Sequence, residues 1–290
     1  MQCAVSIPNF GVGLSALAVG DLAASAEAAG WDGFFLWDHL FAFPPGPVDV
    51  VDPWIALAVA ATRTSRIRLG TAVTPLPRRR PVKVAREVTT LDHLASGRFT
   101  LGVGTGAMPF EWDHCGEEPD AVVRGDMLDE HLELLTRLWT GEVVRHEGAH
   151  YRVAGDDWGG LAHPPPVQRP RVPVWVGGTW PGGRPFRRAA RWDGVLPMRV
   201  DAGWTVTDTA DVTAFVARHR VVDAPFDVAV PGETDPGDPA AGDEVRAHAA
   251  AGATWWVEAV HPWRFGYRDG GAWPAREMAA RVAAGPPVRR

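Results

Sequence analysis

Cysteine is nearly missing from this chain. Only Cys3 and Cys115 occur among 290 residues, so no disulfide framework is indicated and a reducing compartment is expected. No uninterrupted apolar run reaches the ~20 residues that a membrane-spanning helix needs. The first residues lack a charged segment followed by a long apolar run, so no secretory leader is expected and the cytoplasm is the expected location. Positive charge is also short: 29 Lys and Arg stand against 35 Asp and Glu, a net charge of −6. That balance argues against general nucleic-acid binding.

What is present suits a large core. Hydrophobic residues make up 46% of the chain, and 14 Trp, 26 Pro and 32 Gly imply many shaped loops. The organising stretch is Ile67 to Gly106. Ile67, Leu69 and Val73 form a mostly apolar strand pattern. Val82, Val84, Ala85, Val88, Leu91 and Leu94 then recur at helical spacing, Gly97 stops the helix, and Phe99 to Val103 resumes a strand. Such a β-α-β unit is right-handed, so its strands should be parallel. Both strands end in small residues, which leaves space above the sheet.

The same alternation runs through the chain. Strands are expected at 3–8, 33–37, 67–73, 99–103, 174–178, 194–198, 226–230 and 254–260. Leu17, Leu22, Ala26 and Ala29 mark the inner face of a first helix that Gly30 stops. Further helices are expected at 52–65, 122–139, 186–192, 211–220, 243–251 and 275–283. Residues 107–120 read as a loop, 143–153 as a β-hairpin and 285–290 as a frayed tail. Eight strands alternating with helices predict an α/β fold, a (β/α)8 barrel in one domain over 1–290, with an insertion around 107–172 after strand four. An open doubly wound sheet is the runner-up.

In such a barrel, functional residues gather at the C-terminal ends of the strands. Those ends carry Asp38-His39, Thr71-Ala72-Val73, Gly104-Thr105-Gly106, Gly177-Gly178-Thr179, and Glu258 with His261; they are expected to converge on one mouth. Asp38-His39 is the acid–base candidate, because imidazole titrates near neutrality and a carboxylate can tune it. The tripeptide recurs as Asp92-His93-Leu94, but at a helix end on the opposite face, where a structural role is expected. His146-Glu147-Gly148-Ala149-His150 matches a zinc-protease signature, yet it falls in a hairpin pattern rather than on a helix, so no metal site is expected there. Gly102 to Ala107 matches a dinucleotide fingerprint, but Met108-Pro109 and a loop follow where a helix should open. The Gly177-Gly178 backbone can cradle a phosphate. Arg78-Arg79-Arg80 reads as a solvated charge run, with an anionic ligand as the alternative. Phe41, Phe43, Trp112 and Trp180 would form an apolar substrate wall.

Taken in order, FFLWDHL (34–40), IRLGTAVTP (67–75), LDHLASGRFTLGVGTG (91–106), LWTGEVVRHEGAHY (138–151) and VPVWVGG (172–178) make the chain resemble the luciferase-like monooxygenase superfamily, whose members use FMN or the deazaflavin F420. The resemblance covers most of the first two hundred residues. It implies a barrel with the cofactor ring over the strand ends, backed by a non-prolyl cis peptide at Ala72-Val73. It implies that Asp38 and His39 are the acidic residue and catalytic histidine of the F420 branch. Thr71, Thr105, Gly106, Gly177, Gly178 and Thr179 would contact the cofactor; Phe43, Trp112, Trp180, Glu258 and His261 would face the substrate. F420-dependent hydride transfer to or from a small, apolar or aromatic molecule is the expected activity. The alternative is an FMN-dependent monooxygenase fed by a reductase partner. A non-catalytic flavin-binding barrel, or a metal hydrolase on Asp38, His39, Glu258 and His261, ranks below both. A homodimer is also implied. One departure stands out: sugar-phosphate-oxidising members carry a glutamate where this chain has Ala107, and Glu111 is the nearest acid.

Overall fold

The computed structural model describes residues 1–43, 46–155, 164–200, 202–268 and 271–288. Among them, eight parallel strands close a ring in chain order: β1 (Gln2–Ile7), β2 (Gly33–Leu36), β3 (Arg68–Thr71), β4 (Phe99–Gly104), β5 (Val174–Thr179), β6 (Gly194–Met198), β7 (Asp227–Gly232) and β8 (Trp255–Ala259). The ring closes where Gln2 pairs with Trp255 and continues unbroken across Val174 and Leu101. This is a (β/α)8 barrel, and the open-sheet alternative falls away.

Helices α1 (Ala16–Ala29), α2 (Pro53–Arg63), α3 (Pro81–Leu94), α4 (Pro109–Cys115), α5 (Ala121–Leu138), α6 (Arg184–Ala189), α7 (Val206–His219), α8 (Ala241–Ala250) and α9 (Ala275–Ala283) surround it. Local chemistry sets their ends. The Ser15 hydroxyl accepts from the Ala18 amide, Asp52 from the amides of Trp54 and Ile55, and Gly30 closes α1 at φ +93°. The inner face of α1 is rotated from the expected one: Val19, Ala23 and Ala26 are buried while Leu17 is 59% exposed. Small residues there let α1 lie close to α2, so size rather than hydrophobicity decides the phase.

The lower half of the barrel is plugged by aromatic rings. Phe35 stacks on Trp175 at 5.2 Å, and Trp255 meets Trp175 edge-on at 5.4 Å. Glycines make the room: a Cβ on Gly70 would lie 2.6 Å from Phe35, and one on Gly194 would lie 2.5 Å from Trp175. Ala72, Leu196, Ala229 and Val257 pack on this plug and also line the cavity above it.

Two expectations need correction. Residues 107–120 are not all loop, because α4 occupies 109–115, with Pro109 at its first turn and Gly116 ending it at φ +65°. The tail is not frayed through residue 288: Arg281 donates to the Gly285 carbonyl at 2.9 Å, and Val288 packs on the core. The hairpin is observed, pairing Arg145–Glu147 with Arg152–Ala154. Its His146 ring, with the amides of His150 and Tyr151, gathers on the Glu130 carboxylate, a structural use of the protease-like motif. Asp92 is likewise structural, accepting from the amides of Val167 and Gln168 beneath the barrel.

Candidate active site

Above the aromatic plug lies a cavity of about 1080 Å3 at the C-terminal mouth. Asp38, His39, Phe43, Ala72, Val73, Thr105, Gly106, Gly177, Gly178 and Thr179 all line it. Its floor is a close fit. The Ala72-Val73 peptide is cis, and a Cβ added at Gly104 or Gly177 would meet the Val73 side chain at 2.8 or 3.0 Å. Bare backbone on two neighbouring strands therefore seats the Val73 side chain in the floor.

Asp38 and His39 are neighbours in sequence but point to different partners. The buried Asp38 carboxylate accepts from Arg79 at 2.8 Å, the Thr74 hydroxyl at 2.7 Å and the Trp54 indole at 3.2 Å. No bond joins it to His39. Instead, His39 Nδ1 lies 3.2 Å from Glu111 Oε1, delivered by α4 from across the mouth. The His39 backbone is held separately, its amide and carbonyl both bonded to the Asn9 side chain.

Glu111 is 1% exposed, accepts from the Leu40 amide at 2.7 Å and pairs with Arg78 at 3.1 Å. Burial raises its pKa, but the His39 ring, the Leu40 amide and Arg78 together outweigh burial and bring it to about 2. Glu111 is thus ionised near neutrality and can only accept. His39 Nδ1 must carry the proton, which leaves Nε2 as the free ring nitrogen.

Of the arginine run only Arg80 is exposed as expected, while the other two turn inward to carboxylates. Arg78 is buried between Glu111 and Glu117, and Arg79 holds Asp38. Trp112 does not line the cavity; it is 2% exposed and lies between the guanidinium groups of Arg78 at 4.3 Å and Arg124 at 4.5 Å. That stack locks α4, and with it Glu111. Gly106 permits it, because a Cβ there would overlap the Trp112 ring at 1.8 Å.

Other expected mouth residues also turn away. Thr71 is fully buried and donates to the Gly102 carbonyl. Trp180 packs on Phe186 and Phe215, outside the cavity lining. Glu258 is fully buried, where it binds Arg264, Arg281, Thr234 and Trp256. His261 caps the next turn and pairs with Glu233. Asp38, His39, Glu258 and His261 therefore do not converge, and no group of three or more His, Cys, Asp or Glu suited to a metal occurs among the described residues.

The far end of the cavity is cationic. Arg184, Arg187, Arg188 and Arg191 line it beyond Gly177–Thr179, with Asp129 paired to the last two. Glu111, Trp37 and Trp263 belong to the lining but were not singled out as site residues from the sequence. For Glu111 the available signal was an acid four residues past Ala107, readable only once α4 was known.

The barrel matches solved structures from end to end. One is an F420-dependent secondary alcohol dehydrogenase in complex with an F420-acetone adduct, at TM-score 0.74 and 18% identity over 90% of this chain and 94% of that one. Another is a monooxygenase from Streptomyces bottropensis, at TM-score 0.73 and 22% identity over 98% of both chains. Among curated proteins, an uncharacterized protein of Mycobacterium tuberculosis is 38% identical over 170 residues, 58% of each chain. The F420-dependent glucose-6-phosphate dehydrogenase of Nakamurella multipartita is 36% identical over 193 residues, 65% of this chain and 54% of that protein. The chain thus spans little more than half the length of these curated relatives. A model of the luciferase-like monooxygenase family matches residues 10–282. With the barrel and its mouth cavity in that frame, the chain belongs to the luciferase-like monooxygenase family.

Proposed function

We propose that this protein is an F420-dependent oxidoreductase that moves hydride to or from a small, apolar or aromatic organic molecule. The observation that carries the reading is the His39–Glu111 pair at the edge of the cavity floor. The floor fits a flat ring system, since Gly104 and Gly177 keep the space beside Val73 clear of any Cβ. Ala72, Val73, Thr105 and Gly106 would contact that ring, and the Gly177–Thr179 backbone with Arg184 and Arg187 would hold its phosphate.

When bound, F420 supplies the carbon centre that accepts or returns a hydride. The chain's own part is placement and proton transfer. Glu111 keeps the Nδ1 proton on His39, so Nε2 is free to take the proton of a substrate hydroxyl as its carbon is oxidised. In the reverse direction the imidazolium returns that proton to a carbonyl oxygen. Asp38, neutralised by Arg79, anchors the β2 end rather than tuning His39.

The second reading is an FMN-dependent monooxygenase served by a separate reductase. The family bears that activity in its name, and the Gly177–Thr179 backbone suits any ribityl phosphate. In either case we place the working unit in one barrel domain over 1–290, as a cytoplasmic homodimer. No helix among the described residues is long and apolar enough to cross a membrane.

An absorbance titration separates the readings. Saturable binding of F420 at micromolar concentrations is expected; binding of FMN without F420 would overturn the preference. His39→Asn should lower turnover by about 10²–10⁴-fold while cofactor affinity holds. Unchanged turnover would remove His39 from the mechanism.

A further inference from the structure

We infer that Trp263 selects the substrate, confining it to a neutral molecule with a flat aromatic ring beside His39; the inference rests on the oxidoreductase reading above. The cavity is divided by chemistry. All the arginines that line it fall between 184 and 191, and among the described residues no lysine lines it. At the opposite end, Trp37, His39, Phe43 and Trp263 form the wall.

Among the described residues, the charged groups packed against that wall are paired, His261 beside Trp37 and Trp263 with Glu233. Arg78 and Arg79 are held by Glu111, Glu117 and Asp38, and Arg264 by Glu258. The Trp37 indole N–H is likewise spent on the Ser6 hydroxyl at 3.0 Å. A phosphoryl or carboxylate group brought there would lose its water and find no arginine or lysine among the described residues that line this end. A ring would find aromatic surface and the free Nε2 of His39.

The wall is also rigid. Phe43 and Trp263 stack with planes 4° apart and centroids 5.2 Å apart, and Phe10 meets both edge-on. Trp263 sits in a short turn, 262–265, directly after β8. The next residue, Arg264, donates to Glu258 at 2.6 Å, to the Ala259 carbonyl at 2.7 Å and to the Thr234 carbonyl. The Trp263 carbonyl takes the Gly266 amide at 3.2 Å. With its backbone tied and its ring packed on Phe43 and Phe10, Trp263 swings aside for a bulky saturated ligand only by breaking that stack, whereas a flat ring can extend it.

The test uses three probes on the full chain, with and without added F420: 2-naphthol, its saturated counterpart trans-decahydro-2-naphthol, and glucose 6-phosphate. 2-Naphthol is expected to bind saturably, the saturated alcohol about five- to tenfold more weakly, and the sugar phosphate not at all once F420 occupies the arginine-lined end. Trp263→Ala should weaken 2-naphthol at least tenfold, Trp263→Phe should recover most of that loss, and the F420 affinity of both variants should stay at the wild-type value. Equal binding of the two alcohols, no binding of 2-naphthol, binding of glucose 6-phosphate to the F420-loaded protein, or indifference to Trp263→Ala would each overturn the inference. Loss of the oxidoreductase reading looks different: F420 would fail to bind while 2-naphthol still did.

Discussion

Glu111 Oε1 stands 3.2 Å from His39 Nδ1 although 72 residues separate them in the chain. The contact joins a helix above the mouth to a strand end below it. Glu111→Gln keeps an acceptor for the Leu40 amide but removes the charge that steadies an imidazolium. Turnover should fall about ten- to hundredfold with cofactor affinity nearly unchanged, as steady-state kinetics beside a binding titration would reveal. Glu111→Ala should also strip Arg78 of a buried partner, at about 3–5 kcal/mol of stability.

The same carboxylate sets an acid limit on stability. Its pKa is 4.5 in an unfolded chain and about 2 in the fold. The unfolded state therefore binds the proton first as pH falls. The stabilisation is fully present above pH 4.5 and is lost progressively down to about pH 2, for a total of roughly 3 kcal/mol. Chemical denaturation at a series of pH values should show this slope, and Glu111→Gln should flatten it. A slope identical in the variant would place the acid sensitivity elsewhere.

Gly106 is a second point of control. It holds φ +86°, and an added Cβ would lie inside the Trp112 ring. Gly106→Ala should cost about 1–3 kcal/mol or more, because it displaces the ring that Arg78 and Arg124 clamp. Thermal melting gives the stability loss. Turnover per folded molecule should fall as well, since α4 carries both Trp112 and Glu111.

Glu258 serves the fold. Its carboxylate lies between Arg264 and Arg281 with no exposure. Glu258→Ala leaves two buried guanidinium groups without their carboxylate and should cost about 3–5 kcal/mol. Cofactor affinity of the molecules that remain folded should match the wild type. A variant that melts normally yet fails to bind cofactor would return Glu258 to the site.

The barrel was readable from the sequence because its signals are local. Apolar runs such as Val174-Trp175-Val176 mark strands covered on both faces, Gly30 and Asp52 mark helix boundaries, and their alternation has one common closed solution. Asp38, His39, Val73, Thr105 and Gly177 reached the cavity for the same reason: strand ends share one mouth. A place at a strand end did not settle every side chain. Glu258 and Thr71 sit at strand ends yet turn away from the barrel interior to arginines or a carbonyl, since burial of a polar atom demands a partner that only the fold supplies.

The sequence by itself determined a (β/α)8 barrel with Asp-His at the end of its second strand and glycines around one opening. Only the tertiary structure decided that Asp38 belongs to Arg79, that His39 belongs to Glu111, and that Trp112 locks a helix rather than facing the cavity. Element boundaries follow from neighbouring residues. The charge state and direction of a side chain follow from whatever distant segments bring within 3 or 4 Å of it, and no periodicity encodes that.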